Sequence, residues 1–69
     1  MNTDKLLGKM KEKRLNYTQV AAALGFSERT FANRLKSGKF YTDEAEIIKN
    51  VLDLSTDEFM SIFFKNIVA

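Results

Sequence analysis

Asn16-Tyr17-Thr18-Gln19-Val20-Ala21-Ala22-Ala23-Leu24-Gly25-Phe26-Ser27 is the stretch on which the fold turns. Asn16 offers a side-chain oxygen to the unpaired N–H groups of a helix start, and Gln19 three residues later completes a capping box. Leu15 before the cap and Val20 after it have the spacing of a hydrophobic staple. These signals agree on a helix over 17–24, turned inward through Val20, Ala21 and Leu24. Gly25 then stands where only a residue at ease with positive φ can end the helix and turn the chain sharply. Phe26 is the apolar residue of the turn. Ser27 caps the next helix, over 28–36, whose inner side is Phe31 and Leu35.

The same grammar extends outward in both directions. A helix begins near Asn2 or Thr3 and runs to about Arg14, with Leu6, Leu7 and Met10 inward and Asp4 at the positive end of the dipole. Ser37-Gly38-Lys39 ends the helix of Phe31, and Thr42 or Asp43 opens a fourth over about 43–52. Ala45, Ile48, Val51 and Leu52 form the inner face of this fourth helix, with Ile47 at its margin. Ser55 and Glu58 repeat the capping box, flanked by a Leu54–Phe59 staple, and a fifth helix covers about 56–65. Proline is absent and the apolar spacing is i, i+3, i+4 nearly throughout, so the chain reads as all-α. Residues 1–69 form one domain, without repeat, linker or low-complexity segment.

Composition narrows the chemistry. At 45% hydrophobic and 29% charged residues the chain is too apolar for a disordered tail. It contains neither cysteine nor histidine, which removes disulfides, structural zinc, a thiolate nucleophile and an imidazole base. A chain of 69 residues also has little wall for a water-excluding pocket. No catalysis, cofactor, metal or small-molecule substrate is expected. The N-terminus lacks the apolar region of a signal peptide, and no stretch has the ~20 apolar residues of a membrane span. The expectation is a cytoplasmic binding module.

The net charge of +2 is distributed unevenly. Residues 1–39 hold nine Lys/Arg against three acids, whereas residues 40–69 hold two against six. A basic half suits a polyanion and an acidic remainder stays in solvent. Taken alone, the basic cluster at Lys11, Lys13 and Arg14 also fits a solvated helix end.

Tyr17 to Leu35 has the spacing of a helix-turn-helix, with Ala21 as the small residue where two steeply crossed helices approach. The run Asn16 to Ser27, followed by Arg29-Thr30-Phe31 and by Leu35-Lys36-Ser37-Gly38, resembles the phage repressor/Cro-type (XRE-like) helix-turn-helix family. Phe40-Tyr41-Thr42, Ala45-Glu46-Ile47-Ile48 and the stretch from Leu54 to Phe64 are similar to a subgroup of small phage regulators. Tyr17 stands where that family often has Gln, and Arg34 where it is often apolar. The resemblance implies a compact five-helix, lambda-repressor-like DNA-binding domain, acting as a transcriptional regulator in a phage or mobile-element setting within a bacterial cell.

With the third helix in a major groove, its outward residues are Ser27, Glu28, Arg29, Ala32, Asn33 and Lys36, with Thr30 reaching either a base or a phosphate. Arg29 suits guanine O6 and N7, Asn33 suits adenine N6 and N7, and the Ala32 methyl can touch a thymine methyl. Glu28 can accept from cytosine N4 while repelling phosphate. Phosphate contacts are expected from Tyr17 and Thr18 at the start of the second helix, and from Arg34, Lys36, Ser37, Lys39 and Tyr41 around the end of the third. Tyr41 fits equally as a rim residue of the core.

The C-terminus carries more apolar residues than one helix face can bury. Phe59, Ile62 and Phe63 share one side, and Met60, Phe64, Ile67 and Val68 drift to another. The second group either wraps across the domain as further core or forms a partner surface, and the tail is open to helix or strand. A two-fold homodimer on double-stranded DNA would set two recognition helices roughly 34 Å apart on a near-palindromic operator. The first rival reading is a modulator or antirepressor that docks on a partner repressor protein, and a second is a structural or toxin–antitoxin component using the same fold.

Overall fold

The computed structural model describes residues 1–64. Five helices and no strand are found among them: α1 (Thr3–Glu12), α2 (Tyr17–Leu24), α3 (Glu28–Ser37), α4 (Thr42–Val51) and α5 (Thr56–Phe63). Among the described residues the chain is all-α, as its spacing predicts.

Three of the four connections between helices use one device. After α1, Arg14 takes the left-handed conformation (φ 59°), the Leu15 N–H donates to the Met10 carbonyl at 2.9 Å, and Asn16 caps α2. After α2, Gly25 is left-handed (φ 75°), the Phe26 N–H donates to the Ala21 carbonyl at 2.8 Å, and Ser27 caps α3. After α4, Asp53 is left-handed (φ 51°), the Leu54 N–H donates to the Lys49 carbonyl at 2.9 Å, and Ser55 caps α5. Each time a left-handed residue reverses the chain, and the next N–H satisfies a carbonyl five residues back. The apolar side chain that follows packs on the core: Leu15 and Phe26 half-buried, Leu54 buried. One apolar residue thus closes the outgoing helix and precedes the cap of the next.

The capping boxes read from sequence are present. Asn16 Oδ1 accepts the Gln19 N–H and Gln19 Oε1 accepts the Asn16 N–H, both at 2.9 Å. Ser55 and Glu58 exchange the same pair at 3.1 and 2.9 Å. The α3–α4 connection is longer: Gly38 (φ 71°) ends α3, and Lys39 and Phe40 follow before Tyr41.

Several boundaries differ from the sequence reading. The first helix stops at Glu12, short of Arg14, because the left-handed backbone of Arg14 cannot continue it. The third continues one residue further, to Ser37. The fourth begins at Thr42, one of the two openings read from sequence, with Tyr41 in the cap position, and ends at Val51, one residue short of the expected 52. The Tyr41 N–H finds its acceptor in Glu44 Oε1 at 2.8 Å, so the acid three residues ahead satisfies this start. The fifth helix ends at Phe63, with Phe64 as its C-cap, before the expected residue 65.

Leu6, Met10, Val20, Ala21, Phe31, Leu35, Ala45, Ile48, Leu52, Leu54 and Ile62 make the buried core. Leu7, Leu24 and Val51, read as inward, are only half-buried. Fully buried Phe31 lies centrally, with Tyr17 edge-on at 5.5 Å between ring centroids and Phe40 at 6.1 Å. Phe40 leads on to Phe63 at 6.3 Å and Phe63 to Phe59 at 5.1 Å, so a chain of rings ties α2 and α3 to α5. α2 packs on both α3 and α4. α1 and α5 lie antiparallel: the Asn2 N–H donates to the Ile62 carbonyl, Lys5 Nζ to Ser61 Oγ, and Lys9 pairs with Glu58. No helix among the described residues is long and apolar enough to cross a membrane.

Candidate nucleic-acid interface

α3 is anchored by one face and open on the other. Phe31 and Leu35, four residues apart, are buried, which turns Arg29, Asn33 and Lys36 to solvent. These three follow an i, i+4, i+7 course and form one exposed ridge. Neither Arg29 nor Lys36 enters an ion pair among the described residues. Ala32, expected beside them, is half-buried at the edge of this ridge.

The N-terminal end of α3 is more committed than its sequence suggested. The Ser27 hydroxyl accepts the Thr30 N–H at 3.1 Å and donates to the Thr30 hydroxyl at 2.9 Å, so two expected readout residues are bonded to each other. The Thr18 hydroxyl donates to Glu28 Oε2 at 2.9 Å. A residue expected on a phosphate and one expected on a base therefore meet across the start of the two helices. All four remain exposed. Tyr17 is half-buried by its ring contact with Phe31.

At the other end of α3, Arg34, Ser37, Lys39, Phe40 and Tyr41 line an open pocket of about 310 Å³. Lys39 is exposed, and Tyr41 is exposed over 70% of its surface. The Ser37 hydroxyl donates to the Arg34 carbonyl at 3.0 Å, a bond within the last turn of the helix. Arg34, expected to reach sideways to a phosphate, is placed differently. Its Nη1 donates to Glu44 Oε1 at 2.5 Å, and its guanidinium lies 5.0 Å from the Phe26 ring centre and 5.4 Å from that of Tyr41. Burial acts to raise the Glu44 carboxyl, but the Tyr41 N–H and the Arg34 guanidinium outweigh it and hold the group below the usual carboxylate range. Glu44 is the residue that sequence reasoning missed here; its only signal was its position three residues after Tyr41.

Of the apolar residues expected to face a partner, Met60 is 36% and Phe64 46% exposed. Phe59 and Phe63 pack on the core, as the two-sided reading of this helix expects. Ile67 and Val68 lie outside the described residues. No group of three or more acidic side chains that could hold a metal ion occurs among the described residues. Comparison with protein families, with curated proteins and with solved structures finds nothing that matches this chain.

Proposed function

We propose that this protein is a sequence-specific DNA-binding transcriptional regulator of the phage or mobile-element type, acting in the bacterial cytoplasm without catalysis. In this reading α2 and α3 form a helix-turn-helix and α3 enters the major groove. The observation that carries it is the ridge of Arg29, Asn33 and Lys36: it is exposed along a helix whose other face is locked into the core, immediately after a capped turn at Gly25. Arginine and asparagine are the residue types that bind guanine and adenine edges in two places, and each such pair discriminates by about 1–3 kcal/mol. Lys36, Lys39 and Ser37 at the end of the helix supply phosphate contacts, and Thr18 and Tyr17 flank its start. The exposed Met60 and Phe64 support a second copy docking through α5, which would place two such ridges on one operator.

A second reading rests on the same apolar pair. Met60 and Phe64 also suit docking on a partner repressor, with the domain acting as a modulator. Fluorescence anisotropy against the intergenic DNA beside the gene and a scrambled control, at two salt concentrations, separates the two. Sub-micromolar, sequence-dependent binding that weakens steeply with salt, together with a dimer in sedimentation, supports the operator-binding regulator. Binding only at tens of micromolar and indifferent to sequence would overturn it in favour of the protein partner.

A further inference from the structure

We propose that Arg34 is a positioning residue, a brace that fixes the segment 38–41 against α3, rather than a ligand for a phosphate. The effect on DNA rests on the reading above; the brace itself does not. Arg34 draws together four parts of the chain. Phe26 comes from the turn between α2 and α3, Arg34 from α3, Phe40 and Tyr41 from the connection, and Glu44 from α4. The guanidinium lies within 5.0–6.0 Å of three ring centres, a setting that suits a flat, weakly hydrated guanidinium better than a compact, strongly hydrated ammonium. It also reaches the Lys39 carbonyl at 3.5 Å.

Glu44 makes the arrangement a single unit. Its Oε1 accepts both from Arg34 and from the Tyr41 backbone N–H, so one oxygen holds the side chain and the start of α4 together. A phosphate taking Arg34 would have to displace a carboxylate only 14% exposed and leave it without its cation. Lys39 and Tyr41, which border the same pocket, are the groups whose positions the brace sets.

The two roles of Arg34 predict opposite signs for E44Q. If Arg34 is a phosphate ligand restrained by Glu44, neutralising Glu44 frees it and DNA binding tightens. If Arg34 is a brace, E44Q loosens 38–41 and specific binding weakens by about tenfold, the scale of a lost charged hydrogen bond, with the salt slope unchanged. R34K separates them again: a phosphate contact survives it, whereas the brace weakens because a compact, strongly hydrated ammonium does not replace a guanidinium set among three rings. We would record amide hydrogen exchange of residues 38–41 by NMR, alongside anisotropy with the upstream DNA, for the wild type, R34K, E44Q and the double variant R34K/E44Q. Faster exchange at Tyr41 in both single variants, equal losses of affinity and no further loss in the double variant support the brace. Tighter binding by E44Q, or unchanged exchange in either single variant, overturns it. If the wild type shows no sequence preference, the DNA reading falls, and exchange alone decides the brace by the same criterion.

Discussion

Lys9 of α1 and Glu58 of α5 form an ion pair between the first and last described helices, and Glu58 is at the same time the acceptor for the Ser55 N–H that starts α5. The Lys9 ammonium, then the Ser55 N–H, hold the Glu58 carboxyl at about 2, well below its ordinary 4.5. Its partner moves the other way: Glu58 and then Glu12, 3.2 Å away, raise Lys9. A carboxyl depressed on folding stabilises the fold above its unfolded value and ceases to do so as pH falls through its folded value. Stability should therefore hold from neutrality to about pH 4.5 and decline between there and about pH 2, with Glu44 contributing in the same direction. E58Q keeps an oxygen for the Ser55 N–H but loses the charge. Urea midpoints from pH 2 to 7 should show a flatter acid limb for E58Q; parallel curves would remove Glu58 as the cause.

The left-handed junctions give two substitutions of opposite sign. A Cβ at Gly25 would meet no atom within 4 Å, so Gly25→Ala should cost only the conformational penalty of φ 75°, about 1–2 kcal/mol. Arg14 already bears that penalty at φ 59°, and its side chain is exposed. Arg14→Gly should relieve it, less glycine's greater unfolded entropy, for a net gain of about 0.5–1 kcal/mol. Thermal melts of the two variants should move in opposite directions. A loss of stability in Arg14→Gly would show that its side chain contributes more than its backbone costs.

Phe31 offers the sharpest test of the core, because it is fully buried and touches rings on either side. Phe31→Ala should cost about 3–5 kcal/mol, while a domain of this size has a total stability of only about 3–10 kcal/mol. The variant should be largely unfolded by far-UV circular dichroism at 37 °C, and Phe31→Leu should fold with a lowered melting temperature. A cooperative melt for Phe31→Ala close to that of the wild type would mean that the rings of Tyr17 and Phe40 close over the space.

What could be read from the sequence was local. Asn16 with Gln19, Ser55 with Glu58 and the glycine at 25 each act within a few residues, so their chemistry is visible in the order of the chain. The left-handed positions at Arg14 and Asp53 were hidden because neither is glycine, although Leu15-Asn16 and Leu54-Ser55 repeat the pattern of Phe26-Ser27. The pairs that reorganise the candidate interface, Thr18 with Glu28 and Arg34 with Glu44, each span ten residues and join different helices. No periodicity reports such a pair; it depends on how helices are placed, and the residue types alone pointed Thr18 and Arg34 to phosphate and Glu28 to a base. The exposed ridge of Arg29, Asn33 and Lys36 was legible because the burial of Phe31 and Leu35 sets the phase of α3.

The division between base and phosphate contacts on α3 and the segment after it makes the final prediction. Arg29 lies on the exposed ridge in the first turns of α3, and Lys39 lies in the connection beyond its end. In the proposed complex Arg29 reads a guanine, so Arg29→Ala should weaken the specific site by about 1–3 kcal/mol and leave scrambled DNA nearly unaffected. Lys39 meets only the backbone, so Lys39→Ala should weaken both DNAs alike and lower the salt slope by about one. Both residues are exposed and neither enters an ion pair among the described residues, so both variants should fold as the wild type does. Anisotropy titrations at several salt concentrations measure both effects in one series. Equal losses on specific and scrambled DNA for both variants would remove base readout from Arg29 and reduce α3 to an electrostatic surface.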